Sequence, residues 1–432
     1  MAGRLHYFPG VPRSQLLIAG AAVLCRACFG YSVLTHEAII DSSWESHIKP
    51  LLQQRFPDAT AQELKEAHAY VYGGCVIQDL GYVPFANRFF SDLTHYVRTG
   101  DFVAALLRDA QDLNQTAFAI GALAHYAADT TGHPAVNRTA VIVYPKLRRK
   151  FGEVATYEDD PSAHLKTEFG LDVLQVARGL YISDSYHAFI GFKVSKPVLE
   201  QAFRDTYGIE LKDVFTSLDL AIGTYRRSVG ALIPEMTKVA WQTKMKEIAQ
   251  ASPGMTRKRY LFRMSRREYE AEWKEQYRKP GIGARILAIL FRIIPKIGPF
   301  RPLAFRPVTS AGERLFLQSF TATAERYRFL LNGARQEGPN LAEMNLDTGR
   351  PTRAGEYRMA DEAYCKLLGK LAGHNFEALS PELASDIIAF FGENPEPPRG
   401  SKSLDGWRKA LDELAALRRR SVSMPHRNPS GL

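Results

Sequence analysis

Histidine and carboxylate side chains at helical spacing are the residues of this sequence best suited to chemistry. The chain has 432 residues and 11 histidines, most of which lie between residues 36 and 164. His125 precedes Asp129 by four residues in HYAAD, and His164 precedes Glu168 by four in HLKTE. On a helix this spacing places both side chains on one face. One pair of this kind is more often an ion pair or a buried, hydrogen-bonded histidine than a pair of metal ligands.

Further histidines and carboxylates favour a metal site. His133 follows the first pair in DTTGHP, Asp79 lies in GCVIQDLGYVP, and His95 lies in FFSDLTHY. Imidazole nitrogen and carboxylate oxygen are ligands that zinc prefers, and a cation offsets the cost of burying the carboxylates. Because seven such histidines and carboxylates lie on separate segments, the sequence predicts more than one bound ion.

Helices are the elements that must position these side chains. Residues 61–74 begin after a candidate N-cap, Thr60, and end at Gly73–Gly74, which is typical of a C-cap. Residues 115–128 are nearly all apolar, which predicts a core helix. Further helices are predicted at 102–111, 161–180, 195–206, 211–230 and 235–250. Strand-like alternation is scarce and no period of 20–50 residues repeats, so the sequence predicts an all-α fold that is not a solenoid.

The N-terminus has the pattern of a secretory signal peptide. Two arginines precede the apolar run Leu16–Leu24, which is too short to span a membrane, and small residues lead up to Gly30. We therefore expect residues 1–30 to be removed by cleavage after Gly30, giving a secreted or periplasmic protein. The mature chain would keep two cysteines, Cys75 and Cys365, which allow at most one disulfide.

The order and spacing of these residues resemble those of the zinc-dependent phospholipase C family. The pattern comprises Tyr31-x4-His36, Asp79, His95, His125-x3-Asp129, His133 and His164-x3-Glu168. The family is all-helical and shares a three-zinc site with certain single-strand-specific nucleases. The resemblance covers roughly residues 31–230.

The resemblance implies a role for each residue of the pattern. The mature chains of the family begin with an aromatic residue whose free amino nitrogen and carbonyl oxygen bind zinc, so cleavage after Gly30 would create a ligand at Tyr31. Asp79 would be a ligand or a general base that orients the attacking water. The implied ligand sets are Tyr31, His36 and Asp129 for the first ion; His95, His125 and Asp129 for the second, with Asp129 as the bridge; and His133, His164 and Glu168 for the third.

Two positions depart from the family pattern. The family usually has Trp where Tyr31 stands, a change that main-chain ligation should tolerate. It also usually has five residues between the Asp and the next His, with a Pro before that His. Here three residues separate Asp129 from His133, and Pro134 follows. We therefore expect His133 to reach the metal by a different turn, or a water or Asn137 to take its place.

The C-terminal half is basic and contains an apolar segment. The chain has a net charge of +10, and residues 257–267 include six basic residues. Residues 285–294, RILAILFRII, are either an interfacial helix on anionic lipid or a buried helix. We expect a catalytic domain over 31–250, a basic, mostly helical extension over 251–417 and a disordered tail over 418–432. No segment has 18 uninterrupted apolar residues, so no transmembrane helix is predicted.

The resemblance implies an exported zinc phosphodiesterase, and the basic apolar segment favours phospholipid over nucleic acid as substrate. The aromatic residues Tyr72, Tyr82, Phe85, Phe89 and Phe90 fit a cage for a cationic headgroup, a stacking surface for a base, or the core. The alternatives are a single-strand nuclease and a non-catalytic membrane- or partner-binding protein with a structural zinc site. The sequence makes no prediction of oligomeric state.

Overall fold

The computed structural model of the chain describes residues 33–178, 192–229, 246, 305–336, 340–393, 395–397 and 404–422. Tyr31, the predicted signal peptide, the basic run 257–267, the apolar segment 285–294 and most of the predicted tail lie outside the described residues. The predictions made for them stay predictions.

Helices make up about three quarters of the described chain, strands are almost absent from it, and the predicted all-α fold class is confirmed. The helices are α1 (Val33–Ser43), α2 (Lys49–Arg55), α3 (Ala61–Cys75), α4 (Arg88–Tyr96), α5 (Thr99–Asp109), α6 (Leu113–Val143), α7 (Pro145–Phe151), α8 (Pro161–Arg178), α9 (Lys196–Tyr207), α10 (Leu218–Arg227), α11 (Ser310–Gln336), α12 (Arg358–Gly373), α13 (Pro381–Phe391) and α14 (Leu404–Val422). A π-helical turn spans Trp44–Ile48, and 3-10 turns span Ile77–Tyr82 and Leu211–Asp213. The strands β1 (Met344–Asn345) and β2 (Arg350–Pro351) form an antiparallel hairpin that pairs Met344 with Pro351.

Side-chain caps fix the starts of α4 and α6, which carry candidate ligands, and of α3, which packs along α6. The Thr60 hydroxyl accepts a hydrogen bond from the Glu63 amide at 3.2 Å, and the Glu63 carboxylate accepts one from the Thr60 amide at 2.8 Å, which completes a capping box at α3. Asn87 caps α4 through the Phe89 amide, and Asp112 caps α6 through the Gln115 amide. These caps satisfy amides that have no partner within the helix.

The predicted helix over 61–74 agrees with α3 to within one residue, but the predicted C-cap role of Gly73–Gly74 is wrong, because both lie inside α3 and Val76 follows its end. Gly74 instead allows α3 and α6 to cross closely. A Cβ on Gly74 would lie 1.9 Å from the Phe118 carbonyl oxygen, and one on Gly121 would lie 2.0 Å from the Val71 carbonyl oxygen. Glycine here serves the close approach of two backbones, which a sequence pattern does not distinguish from a C-cap.

α6 is the central helix of the fold. The sequence predicted a core helix over 115–128, whereas α6 runs for 31 residues and continues past Pro134. α6 packs along α3 and also along α11, from the C-terminal half. One hydrophobic core contains buried residues from Val33 to Leu417. In the described part of the chain, no helix is long and apolar enough to span a membrane, and Cys75 and Cys365 are both free thiols.

Candidate metal centre

Three candidate ligands lie on one face of α6. His125, Asp129 and His133 follow each other at intervals of four residues, about one turn each. His125 Nε2 is 3.0 Å from Asp129 Oδ2, and His133 Nε2 is 3.5 Å from Asp129 Oδ1. All three side chains are buried, with at most 1% of each residue exposed. The helix thus presents one carboxylate between two imidazoles, and His133 lies with the other ligands because α6 does not end at Pro134.

The first group of candidate ligands consists of His36, His125 and Asp129. α1 supplies His36, whose Nε2 is 3.4 Å from Asp129 Oδ1. The His36 and His125 rings stack with centroids 4.4 Å apart and planes 9° apart. One ligand atom from each of the three residues lies within 4.8 Å of the others, close enough to share an ion.

The second group consists of Asp79, His95 and His125, again with ligand atoms within 4.8 Å of one another. His95 Nε2 is 3.4 Å from Asp79 Oδ1, 3.5 Å from Asp129 Oδ2 and 3.5 Å from His125 Nε2. Ser91 joins the two segments that carry Asp79 and His95: its hydroxyl donates to the Gln78 carbonyl and accepts from the Gly81 amide. The 3-10 turn and α4 are therefore held together beside the carboxylate of Asp129.

The third group consists of His133, His164 and Glu168. His164 Nε2 lies 2.8 Å from Glu168 Oε1, and His133 Nε2 lies 3.5 Å from the same oxygen. Among the described residues, neither ring nitrogen of His164 and neither carboxylate oxygen of Glu168 has a hydrogen-bond partner of acceptable geometry. Buried polar atoms that approach closely without hydrogen bonding fit ligands aimed at a shared cation, which would offset their burial.

Main-chain carbonyls orient three of the imidazoles. His125 Nδ1 donates to the Cys75 carbonyl at 2.9 Å and His95 Nδ1 to the Ser91 carbonyl at 2.9 Å. His133 Nδ1 donates to the Leu346 carbonyl at 3.0 Å. A proton fixed on Nδ1 leaves the Nε2 lone pair available to a metal, the usual arrangement for ligating histidines.

Burial shifts the protonation of the groups in the centre. Burial, together with the nearby His125, lowers the pKa of His36 to about 3, and burial with the nearby His133 lowers the pKa of His164 to about 3. Both rings are therefore neutral near pH 7, as a metal ligand must be. Burial raises the pKa of Glu168 well above its ordinary value. A carboxylate in that position is stabilised in its charged form by a cation.

Asp347 is a buried carboxylate beside the candidate ligands, and it was not predicted from the sequence. Its Oδ1 lies 3.5 Å from His133 Nδ1, and the residue is 4% exposed. It lies in the turn between β1 and β2. No helical spacing or ligand pattern marks it, because the contact joins residues more than 200 positions apart.

The predicted aromatic set and one further buried histidine lie away from the ligands or at their edge. That histidine, His68, stacks on Trp44 with centroids 3.8 Å apart. Tyr72 donates a hydrogen bond to Asp41. Tyr82 is the member of the predicted aromatic set that lies beside a ligand, with its ring centroid 5.8 Å from that of His95. The remaining three are Phe89 and Phe90, which are buried in the core, and Phe85, which is 49% exposed.

Comparison with known proteins identifies the family of the part of the chain that carries the candidate ligands. The model of the zinc dependent phospholipase C family matches residues 35–217, and these residues, called the family domain below, belong to that family. No significant match was found among curated proteins or among solved structures. The matched region includes every candidate ligand from His36 to Glu168 and excludes Tyr31 and Asp347. The domain is thus a zinc-dependent phospholipase C-type hydrolase, and its buried histidine and carboxylate groups fit the zinc on which the family depends.

Proposed function

We propose that this protein is an exported phospholipase C that hydrolyses the headgroup phosphodiester of phospholipids at a centre of three zinc ions. The observation that carries the proposal is the convergence of three groups of buried ligands on the single carboxylate of Asp129. A structural zinc site needs one closed set of four ligands, whereas adjoining sets of three leave positions open for substrate.

The proposed ligands follow from the three groups. Asp129 would join the first ion, held with Tyr31 and His36, to the second, held with His95 and His125. His133, His164 and Glu168 would hold the third. When bound, zinc supplies Lewis-acid stabilisation of the phosphate oxygens and activates water for attack on phosphorus.

Asp79 is proposed to act at the attacking water as well as near the second ion. Its Oδ1 lies 3.4 Å from His95 Nε2. Neither of its carboxylate oxygens accepts a hydrogen bond of acceptable geometry from the described residues, although the residue is 1% exposed. One oxygen can face a cation while the other accepts a proton from water, so the geometry supports both roles that the family resemblance implies.

Export and phospholipid specificity are supported by separate observations. His36 lies in the first turn of α1, which begins at Val33, so the residue created by cleavage after Gly30 is close to His36 along the chain. Members of the family are typically secreted, and the family implies a phospholipid substrate. The aromatic rings of Tyr82 and Tyr157 lie beside His95 and His164, with centroid distances of 5.8 Å and 5.6 Å. These rings provide an apolar wall next to the centre.

A panel of phosphodiesters tests the proposed substrate. Mature protein beginning at Tyr31 is assayed on vesicles of phosphatidylcholine and of phosphatidylinositol, and on single-stranded DNA, before and after chelation and zinc re-addition. We expect zinc-dependent release of phosphorylated headgroup from at least one lipid and little cleavage of DNA. Preferential cleavage of DNA would favour the nuclease alternative. Tightly held zinc without any turnover would favour the structural alternative.

A further inference from the structure

The turn between β1 and β2, residues 345–349, packs directly on the candidate metal centre. Gly349 has a φ of +64°, and a Cβ on it would lie 2.3 Å from the Thr130 carbonyl oxygen and 2.8 Å from Pro134 Cγ. The turn therefore fits against α6 at Thr130 and Pro134, which follow Asp129 and His133 directly in the chain. It also lies outside the region that matches the family.

The main-chain groups of this turn form hydrogen bonds with two candidate ligands. The Leu346 amide donates to the His95 carbonyl at 3.0 Å. The Leu346 carbonyl accepts from His133 Nδ1 at 3.0 Å. One buried residue of the turn thus connects the end of α4, which carries His95, with the ring of His133 on α6.

Asp347 adds a carboxylate to the same contact. Its Oδ1 lies 3.5 Å from His133 Nδ1, and its Oδ2 accepts hydrogen bonds from the hydroxyls of Tyr96 at 2.7 Å and Tyr357 at 2.5 Å. Its main-chain oxygen accepts from Asn137 Nδ2 at 2.7 Å. The two tyrosines hold one oxygen, which directs the other toward the imidazole.

We propose that Asp347 is a positioning residue for His133 and that residues 345–349 complete the zinc centre from outside the family domain. The proposal rests on the proposed function, because it requires His133 to ligate zinc. A carboxylate and a carbonyl at Nδ1 fix the ring orientation and make Nε2 more basic, as outer partners of zinc-bound histidines do. A role confined to holding the hairpin in place would not change zinc affinity once the protein is folded.

Zinc release from the full mature chain tests the proposal. Asp347→Asn keeps the size of the side chain and removes its charge. We expect the most weakly held zinc to bind about 10–100-fold less tightly, as measured by competition with a chromogenic chelator. Asp386→Asn is the matched control, because Asp386 also accepts a hydrogen bond from a tyrosine hydroxyl, that of Tyr364, at 3.1 Å. The control should release zinc like the wild type.

A second variant keeps the test decisive if Asp347→Asn does not fold. Tyr357→Phe removes one donor to Asp347 and should weaken zinc binding in the same direction by a smaller factor, with Tyr364→Phe as its control. Unchanged zinc affinity in the folded Asp347 variant, or in Tyr357→Phe if that variant alone folds, overturns the positioning role. The proposed function is still supported in that case if the wild-type protein binds zinc and turns over phospholipid. A wild-type protein that binds no zinc overturns the proposed function itself.

Discussion

At the scale of single residues, Asp129 is the centre of the site. Its Oδ1 lies 3.4 Å from His36 Nε2 and 3.5 Å from His133 Nε2, and its Oδ2 lies 3.0 Å from His125 Nε2 and 3.5 Å from His95 Nε2. Its neighbours stabilise its negative charge. Burial alone would raise the pKa of Asp129, but the nearby His125 and His133 outweigh burial and hold that pKa well below its ordinary value. Asp129 is therefore ionised at neutral pH and available to bridge two cations.

Asp129→Asn tests the bridging role. An amide keeps the shape of the side chain but loses the charge that holds two cations close together, so turnover should fall by more than about 100-fold, beyond the usual effect of outer-shell changes. Zinc content should fall as well. The measurement is metal analysis with phosphodiester turnover on folded protein. Wild-type values for both would show that the assignment of the metal centre is wrong.

The sequence could predict those ligands that lie close to each other along the chain. His125, Asp129, His164 and Glu168 stand out because helical spacing puts each pair on one face. Asp347 could not be found in this way, because its contact with His133 depends on the packing of a hairpin from the other half of the chain. The family resemblance supplied the grouping of the ligands, which spacing alone left open.

At the scale of elements, the crossing of α3 and α6 positions His125. Gly74 and Gly121 allow the two backbones to approach, and the His125 ring then donates to the Cys75 carbonyl at the end of α3. Gly74 was predicted, together with Gly73, to cap the end of α3. Apolar periodicity located both helices, but which residues lie at a crossing is decided by tertiary packing.

Gly121→Ala should destabilise the protein by about 3 kcal/mol, since its Cβ would overlap the backbone of α3 and force the helices apart. Zinc binding should weaken too, because His125 lies one turn further along α6. Gly223→Ala is the control: a Cβ there meets nothing within 4 Å in helix α10, and alanine favours helix. Chemical denaturation measures both. Equal stability of the two variants would contradict the role given to the crossing.

A partly buried glutamate that contacts the start of α5 gives a pH dependence that does not involve the ligands. Glu343 accepts hydrogen bonds from the Gly100 and Asp101 amides at 3.1 Å and 2.9 Å. Burial, with the charge of Asp101, raises the pKa of Glu343 to about 8. A raised pKa means that the folded state holds this proton more tightly than the unfolded state, so the contribution of Glu343 to stability is lost as pH rises toward and through about 8.

Glu343→Gln isolates this contribution, because glutamine keeps an acceptor for the amides and cannot ionise. The stability of the wild type relative to the variant should therefore decrease between pH 5 and pH 9. Thermal unfolding of both proteins across that range measures the difference. A difference that is independent of pH, or that grows with pH, would show that the burial of Glu343 has been misjudged.

At the scale of the whole molecule, the C-terminal half takes part in the fold of the family domain. The Tyr126 hydroxyl on α6 donates to the Ala342 carbonyl at 2.8 Å, and the Tyr327 hydroxyl on α11 donates to the Ile120 carbonyl at 3.1 Å. From a change in composition we predicted a catalytic domain over 31–250 and a basic, mostly helical extension over 251–417. Described residues from Phe316 to Leu417 share one core with the helices that carry the candidate ligands. This follows from long-range packing, which composition does not report.

The N-terminus gives a whole-molecule prediction that depends on processing. If the amino group of Tyr31 binds zinc, protein that begins at Tyr31 should bind the full zinc complement, whereas protein with one extra residue should bind one zinc more weakly. An amide nitrogen is a much poorer ligand than a free amine, whose pKa is about 7.7–8.0. Tyr31→Trp is the control and should behave like the mature form, because main-chain atoms do the binding. Equal zinc affinity in the extended and mature forms would rule out ligation by Tyr31.

The central claim is that bound zinc at the three groups of ligands makes this protein a phospholipase C. Its most direct test is to strip the mature protein of metal, add zinc in known equivalents, and measure bound zinc and phospholipid headgroup release on the same samples. We expect no turnover without metal and full turnover only when all three groups are filled. Turnover that persists in metal-free protein, or protein that holds three zinc ions without turnover, would show that these groups do not form a catalytic zinc centre.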